Sequence, residues 1–333
     1  GYHLAAQLGG LNAMASRGFG FGGPTEGQQQ AAVADDVSGT EGRAYDVAAR
    51  LPALLVESMR VSNTIVHGVH GRRRVGPGET FWQFRQYGTN DDAATIDWRR
   101  SASSDHLFIR EREWEAAHTF WLWTNLSETM NFKSHLSDTT KRDRAIVLLL
   151  AAAEMLVKGG ERVALMGLGR PSVSRSATRR LAETMALHAT GSILNSEFPP
   201  DETPGRFSGA ILVSDFLAPV DEMVAKVRSI AANGVSGHLI QVLDPAEEVL
   251  PYEGRAEFVG MAGETRWVAD RTETLREAYQ AKLAAHRAAL SDVARRVGWS
   301  FTVHHTDRPP TEPLLALIMR LQSSDGIAAG GAA

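Results

Sequence analysis

The chain has 333 residues, 35 Lys and Arg against 39 Asp and Glu, 43% hydrophobic residues and no cysteine. At about 150 residues per domain this allows two domains and a sizeable buried core. It excludes disulfides, thiolate metal sites, iron–sulfur clusters and a cysteine nucleophile, and a net charge of −4 argues against a general nucleic-acid binder.

The longest clean apolar run, Ile146 to Ala153, is far short of the about 20 residues a membrane-spanning helix needs. Gly1–Gly10 lacks the charged start and long apolar stretch of a secretion signal, so a soluble, cytoplasmic protein is expected. Residues 1–43 are a Gly/Ala/Gln/Ser mixture, including Gly18-Phe19-Gly20-Phe21-Gly22-Gly23, and are expected to form a flexible arm, with Met14 as a natural start. Residues 323–333 are expected to be a disordered tail.

Val47, Leu51, Leu54, Leu55, Met59 and Val61 recur at helical spacing and predict an amphipathic helix over 44–64. With the segments that follow it, this helix is expected to form a small β-rich domain over 44–115. Five of the seven tryptophans (Trp82, Trp98, Trp114, Trp121, Trp123) fall between residues 82 and 123. Eight arginines and no lysine occur from Arg72 to Arg112; arginine suits fixed bidentate or stacked contacts, and a GC-rich genome would produce the same bias.

From residue 116 strands and helices alternate. The predicted strands are His118–Thr124, Arg162–Gly167, Ala210–Ser214, His238–Leu243 and Ser300–His304. The predicted helices are Asp143–Lys158 (with Ser137 and Asp138 as capping candidates), Thr178–Ala189, Asp221–Ala232, Thr272–Val297 and Glu312–Gln322. Glu257–Val259 and Thr265–Val268 read as an added hairpin. Near-continuously apolar strands separated by helices imply an α/β domain over 116–322, a mostly parallel sheet with helices on both faces.

Ligands of such sheets bind at the carboxyl ends of the strands. After the first strand come Asn125, Ser127 and Thr129; after the third comes Asp215. Hard oxygen donors of this kind suit Mg²⁺. The alternative is that Ser127 and Thr129 only satisfy backbone groups of the turn.

Asn125-x-Ser127-x-Thr129-Met130 resembles the Asp-x-Ser-x-Ser metal-ion-dependent adhesion site of von Willebrand A domains, and the resemblance implies Thr178 as a third metal-site hydroxyl and Asp215 as the main negative ligand. Upstream, Arg85-x-Tyr87, Asn90-Asp91-Asp92, Ile96-Asp97-Trp98-Arg99, Ser101-Ala102 and the run through Arg110 and Glu113 are similar to the signature of the domain of unknown function 58 family. The resemblance covers roughly residues 44–320. It implies a von Willebrand A-like, Rossmann-like sheet preceded by the Arg/Trp-rich module and the N-terminal helix. It also implies an adaptor working with a MoxR-type AAA+ ATPase in chaperone-like maturation or metal insertion on a client protein. Three positions depart from the pattern: Asn125 replaces the leading Asp of the metal site, Asn90 replaces the Gly of Gly-Asp-Asp, and Ser103 replaces the Arg of Ser-Ala-Arg. The chain has no G-x-x-x-x-G-K-[ST], so nucleotide chemistry is expected to come from the partner.

Other constellations are weaker. Ser127 lacks a G-x-S-x-G elbow, and Gly167-Leu168-Gly169 lacks the third glycine of a dinucleotide fingerprint. Asp91, Asp92 and Asp97 among Arg85, Arg99 and Arg100 read as an ion-pair network. Arg72-Arg73-Arg74 with the tryptophans could stack on nucleic acid, but the interleaved acids oppose it. The alternative to the adaptor is a metal-assisted hydrolase using Asp215 with His304 or His305.

Overall fold

The computed structural model describes residues 46–66, 80–88, 96–102, 104, 106–113, 117–189, 191–202, 204–259, 266–269 and 271–330. The expected flexible arm, and Asp91 and Asp92, lie outside the described residues. The chain divides into two compact units, Gly1–Val69 with His118–Ala333, and His70–Ala117.

The first unit is built on a five-stranded, all-parallel sheet. Its strands are β3 (Thr119–Thr124), β4 (Arg162–Leu165), β5 (Gly209–Ser214), β6 (Ser236–Leu243) and β9 (Ser300–His305), in the order β4-β3-β5-β6-β9. The helices are α1 (46–66), α3 (Lys141–Lys158), α4 (Ala177–Leu187), α5 (Val220–Ala231), α6 (Pro245–Val249), α7 (Glu273–Arg296) and α8 (Thr311–Gly330). Each strand sends alternate residues to opposite faces. Leu122, Val163, Ile211, Val213, Ile240 and Val242 join α1, α3, α4 and α8 in one core. Trp123, Ala210, Leu212 and Leu239 join α5 and α7 in the other. This is the two-sided layering that the apolar strands imply. Two glycines let large rings lie on the sheet: a Cβ on Gly237 would stand 2.2 Å from the Trp299 ring, and one on Gly209 2.3 Å from Phe120. β7 (Ala256–Val259) and β8 (Arg266–Ala269) form the expected antiparallel hairpin.

Helix α3 is buried almost all round, as a helix enclosed on every side must be; Ala145 to Ala153 are each no more than 2% exposed. Its N-cap is Thr140, whose Oγ1 accepts from Asp143 N at 3.1 Å, rather than Ser137 or Asp138. The helix therefore starts two residues earlier than expected, at Lys141.

Two domain boundaries differ from the sequence-based ones. Helix α1 belongs with the α/β unit and not with the small module, because Val47, Leu51, Leu54, Val61 and Ile65 are buried in the α3 core. Arg50 on α1 pairs with Asp143 on α3, and Lys158 Nζ donates to Asn63 Oδ1 at 2.6 Å. Helix α8 continues to Gly330 through much of the expected tail. No helix among the described residues is long and apolar enough to cross a membrane.

In the second unit β1 (Thr80–Gln86) pairs antiparallel with β2 (Phe108–Glu113), and the one-turn helix α2 (Trp98–Ser101) lies between them in sequence. Asp97 caps α2, its Oδ1 accepting from Arg100 N at 3.0 Å. Asp97 N donates to Phe108 O at 2.8 Å. Ser101 Oγ donates to Asp97 O at 2.8 Å and accepts from Phe108 N at 2.9 Å. The described bonds of Asp97 are thus those of a helix cap tied to β2, not of the expected ion-pair network.

Candidate functional site

The chain runs outward from β3 to β4, then returns to the far side of β3 and runs outward again through β5, β6 and β9. The reversal lies between β3 and β5, whose carboxyl ends carry Asn125 and Asp215. This is where open α/β sheets form their ligand crevice.

Asn125, Ser127 and Thr129 come together as expected. Asn125 is fully buried; its Oδ1 accepts from Ser127 N at 2.7 Å, and its Nδ2 donates to Thr129 Oγ1 at 3.4 Å. Ser127 Oγ and Thr129 Oγ1 share a hydrogen bond of 2.9 Å. The three side chains mainly satisfy each other and the turn before the 3-10 segment Glu128–Met130.

Asp215 is held by backbone geometry. Phe216 follows it at φ 49, a conformation rare for a bulky residue. Phe216 is fully buried, and His286 Nε2 donates to its carbonyl at 2.7 Å, which holds the turn. Asp215 Oδ1 accepts from Ser214 Oγ and Leu217 N, both at 3.4 Å.

The group facing Asp215 is one that the sequence reading did not single out. Lys141, the first residue of α3, is completely buried and donates to Asp215 Oδ2 at 2.8 Å and to Glu247 Oε1 at 2.7 Å. Glu247 belongs to α6 at the carboxyl end of β6. Its other oxygen accepts from Asp244 N at 3.0 Å, completing a capping box. Asp244 Oδ2 accepts from Ser134 N at 2.9 Å, which ties the β3–α3 loop to the same edge. Tyr279 on α7 donates to Glu247 O at 2.5 Å. Burial works against the Lys141 ammonium, but Asp215 and Glu247 outweigh it and raise its pKa above the ordinary amine value. Burial opposes the Glu247 carboxylate, yet it is held below the usual range, with Lys141 the strongest of the influences that lower it. Both groups stay charged across the neutral range.

Thr178 is not part of this site. Its Oγ1 donates to Glu154 Oε2 at 2.8 Å. Glu154 lies thirteen residues along α3 from Lys141, about 20 Å at the helical rise.

The two histidines are also elsewhere. β6 separates β5 from β9, placing Asp215 and the end of β9 about 10 Å apart at the ordinary strand spacing. His304 pairs in register with Val242, and His305 with Leu243, so they face opposite sides of the sheet. His305 pairs with Glu248, which Arg287 also grips through its two terminal nitrogens, Nη1 and Nη2, at 2.9 and 3.2 Å. His304 is buried, with Nε2 unpartnered.

Burial first, then Arg144 and His305, push His304 down to about 3. Burial first, then Arg320, pushes His238 down to about 4. Because both folded values lie below the unfolded value near 6.5, the unfolded chain binds more protons between about pH 4 and 6.5. The stability these histidines contribute is present above that window and lost as pH falls through it. Urea denaturation at pH 7 and pH 5 is expected to show a loss of about 2 kcal/mol per histidine; a flat profile would contradict their burial as neutral imidazoles.

The family pattern described as "Protein of unknown function DUF58" matches residues 83–289, well over half of the chain. The chain belongs to the DUF58 family. Asn125, Lys141, Asp215 and Glu247 all lie within the DUF58 match, as do Asp97, Trp98 and Ser101; α1 and His304 lie outside it. The chain is similar to the uncharacterized proteins Mb1516 of Mycobacterium bovis and Rv1480 of Mycobacterium tuberculosis. Each is 27% identical over 277 residues, 79% of this chain and 86% of theirs. Among solved structures it is similar to the conserved hypothetical protein BatB from Bacteroides thetaiotaomicron, at TM-score 0.35 and 12% identity over 62% of this chain and 100% of that one. It is also similar to an aerotolerance-related membrane protein from Bacteroides fragilis, at TM-score 0.34 and 15% identity over 59% of this chain and 96% of that one.

Of the remaining signature residues, Tyr87 N donates to Leu107 O at 2.8 Å, Arg99 is exposed, and Trp98 is 65% exposed. Arg85, Arg110 and Glu113 stand on the β1–β2 ladder, Arg85 opposite Ile109, Arg110 opposite Phe84 and Glu113 opposite Thr80. Sequence reasoning found the two strand ends but missed Lys141, Asp244 and Glu247. The signal for the last two was available: Asp244-Pro245-x-Glu247 follows an apolar strand next to the one that ends at Asp215.

Proposed function

We propose that this DUF58 chain is a non-enzymatic, cytoplasmic adaptor with a von Willebrand A-like sheet domain. In this reading it works with a MoxR-type AAA+ ATPase in chaperone-like maturation of, or metal insertion into, a client protein. The observation that carries the reading is the state of the switch point. At the strand ends where this architecture ordinarily engages a small ligand, the buried Lys141 ammonium is already paired with both Asp215 and Glu247. The hydroxyls beside it are bonded among themselves. Such a site organises loops, and binding then falls to exposed surfaces. Trp98 supports this: a large aromatic side chain left 65% exposed on a helix that is itself tied into its module suits a protein contact.

The direct test is co-purification of the full chain with a MoxR-type AAA+ ATPase of the same organism, with ATP, with ADP and without nucleotide. Association in at least one state is expected. No association in any of the three would end the reading.

A further inference from the structure

The adhesion-site resemblance implies a divalent cation at the carboxyl ends of β3 and β5, and the donor set does not fit one. Asp215 is the only charged group among the five expected ligands, and its Oδ2 lies 2.8 Å from an ammonium. Thr178 bonds Glu154 instead. Asn125 turns its amide nitrogen, a donor, toward Thr129.

We propose that Lys141 is a built-in replacement for the divalent cation: its ammonium bridges the carboxylates, so the site assembles on folding and is indifferent to Mg²⁺. Three further observations carry this. The first is spacing. Mg²⁺ demands oxygens near 2.0–2.1 Å in an octahedron, whereas a charged N–H···O⁻ bond settles near 2.7–2.9 Å. The two carboxylates stand at 2.8 and 2.7 Å from Nζ.

The second is charge. Exchanging a doubly charged ion for an ammonium removes one positive charge, and Asn125, where the resembling motif has Asp, removes one negative charge. The two departures compensate each other.

The third is satisfaction of the anions. Both oxygens of Asp215 and both of Glu247 already accept hydrogen bonds, from Lys141 Nζ, Ser214 Oγ, Leu217 N and Asp244 N. An incoming ion would have to displace a fully buried ammonium to reach either. Buried charges persist only when paired in this way.

The inference concerns the site alone and does not depend on the adaptor reading. Its functional content is that any partner binds this edge without a metal-bridged carboxylate.

Mn²⁺ titration followed by electron paramagnetic resonance, together with thermal melts in EDTA and in millimolar Mg²⁺, tests it on the purified full chain. The wild type is expected to hold no Mn²⁺ at millimolar concentration and to melt at the same temperature in EDTA and in Mg²⁺. Lys141→Ala, which leaves two buried carboxylates facing each other, is expected to bind Mn²⁺ at least about tenfold more tightly than the wild type. It should also melt higher with Mn²⁺ than in EDTA, and adding Asp215→Asn should abolish both effects. If Lys141→Ala does not fold, Lys141→Gln is read in the same way. Wild-type binding of Mn²⁺ that Asp215→Asn removes would overturn the proposal. So would a folded Lys141 variant that gains no Mn²⁺ affinity.

Discussion

Lys141→Met is expected to destabilise the metal-free chain by about 3–5 kcal/mol, a cost typical of leaving a buried charge without its partner. The side chain is wholly enclosed, and both its partners are at most 3% exposed. Methionine keeps the unbranched apolar stem but leaves Asp215 and Glu247 with no cation between them. Asp215→Asn should cost less, because Glu247 still pairs with the ammonium at 2.7 Å and the amide oxygen can still accept a hydrogen bond. Combining Lys141→Met with Asp215→Asn and Glu247→Gln should recover a large part of the loss, since a neutral set carries no stranded charge. Urea denaturation followed by circular dichroism gives all three values. A loss under about 1 kcal/mol for Lys141→Met would mean that water reaches the carboxylates.

Leu51→Ala is expected to cost about 2–5 kcal/mol, the usual range for a buried leucine. Leu51 is 3% exposed, on the same face of α1 as Val47 and Leu54, and that face packs into the α3 core. Helix α1 also carries Arg50, the partner of Asp143 on the first turn of α3. Loosening α1 therefore weakens the helix that holds Lys141 in place. The same denaturation experiment reads the effect. If Leu51→Ala cost less than about 1 kcal/mol, α1 would be a peripheral element rather than part of the core.

The sheet was legible from the sequence because its signals are local. Ala210-Ile211-Leu212-Val213 is apolar enough to be a strand covered on both faces, and the glycines after α3 mark its end. Asn125 and Asp215 were legible because strand ends are legible. Lys141 was not. Lys141-Arg142-Asp143-Arg144 reads as a solvated first turn, and only tertiary packing puts Lys141, Arg142 and Asp143 inside. Thr178 was misassigned for a related reason. A buried hydroxyl needs some partner, and the sequence could not say that Glu154, on the neighbouring helix, supplies it. Helix α6, with five residues, is too short for periodicity to mark it. The end of α8 was missed because Ser323-Ser324-Asp325-Gly326 reads as a breaker; with a helix already nucleated upstream, extension needs no new nucleus.

The module of residues 70–117 is bracketed in the chain by α1 and β3, both of which belong to the α/β unit. It therefore has no free end. A terminal domain on a single linker is lost at one proteolytic cut, whereas this module stays attached after a cut on either side. A nick between α1 and β1 leaves it joined covalently through β3, and α1 stays seated through its buried face and Arg50. A nick between β2 and β3 leaves it joined through α1, whose packing against α3 becomes the anchor. Only two cuts release it.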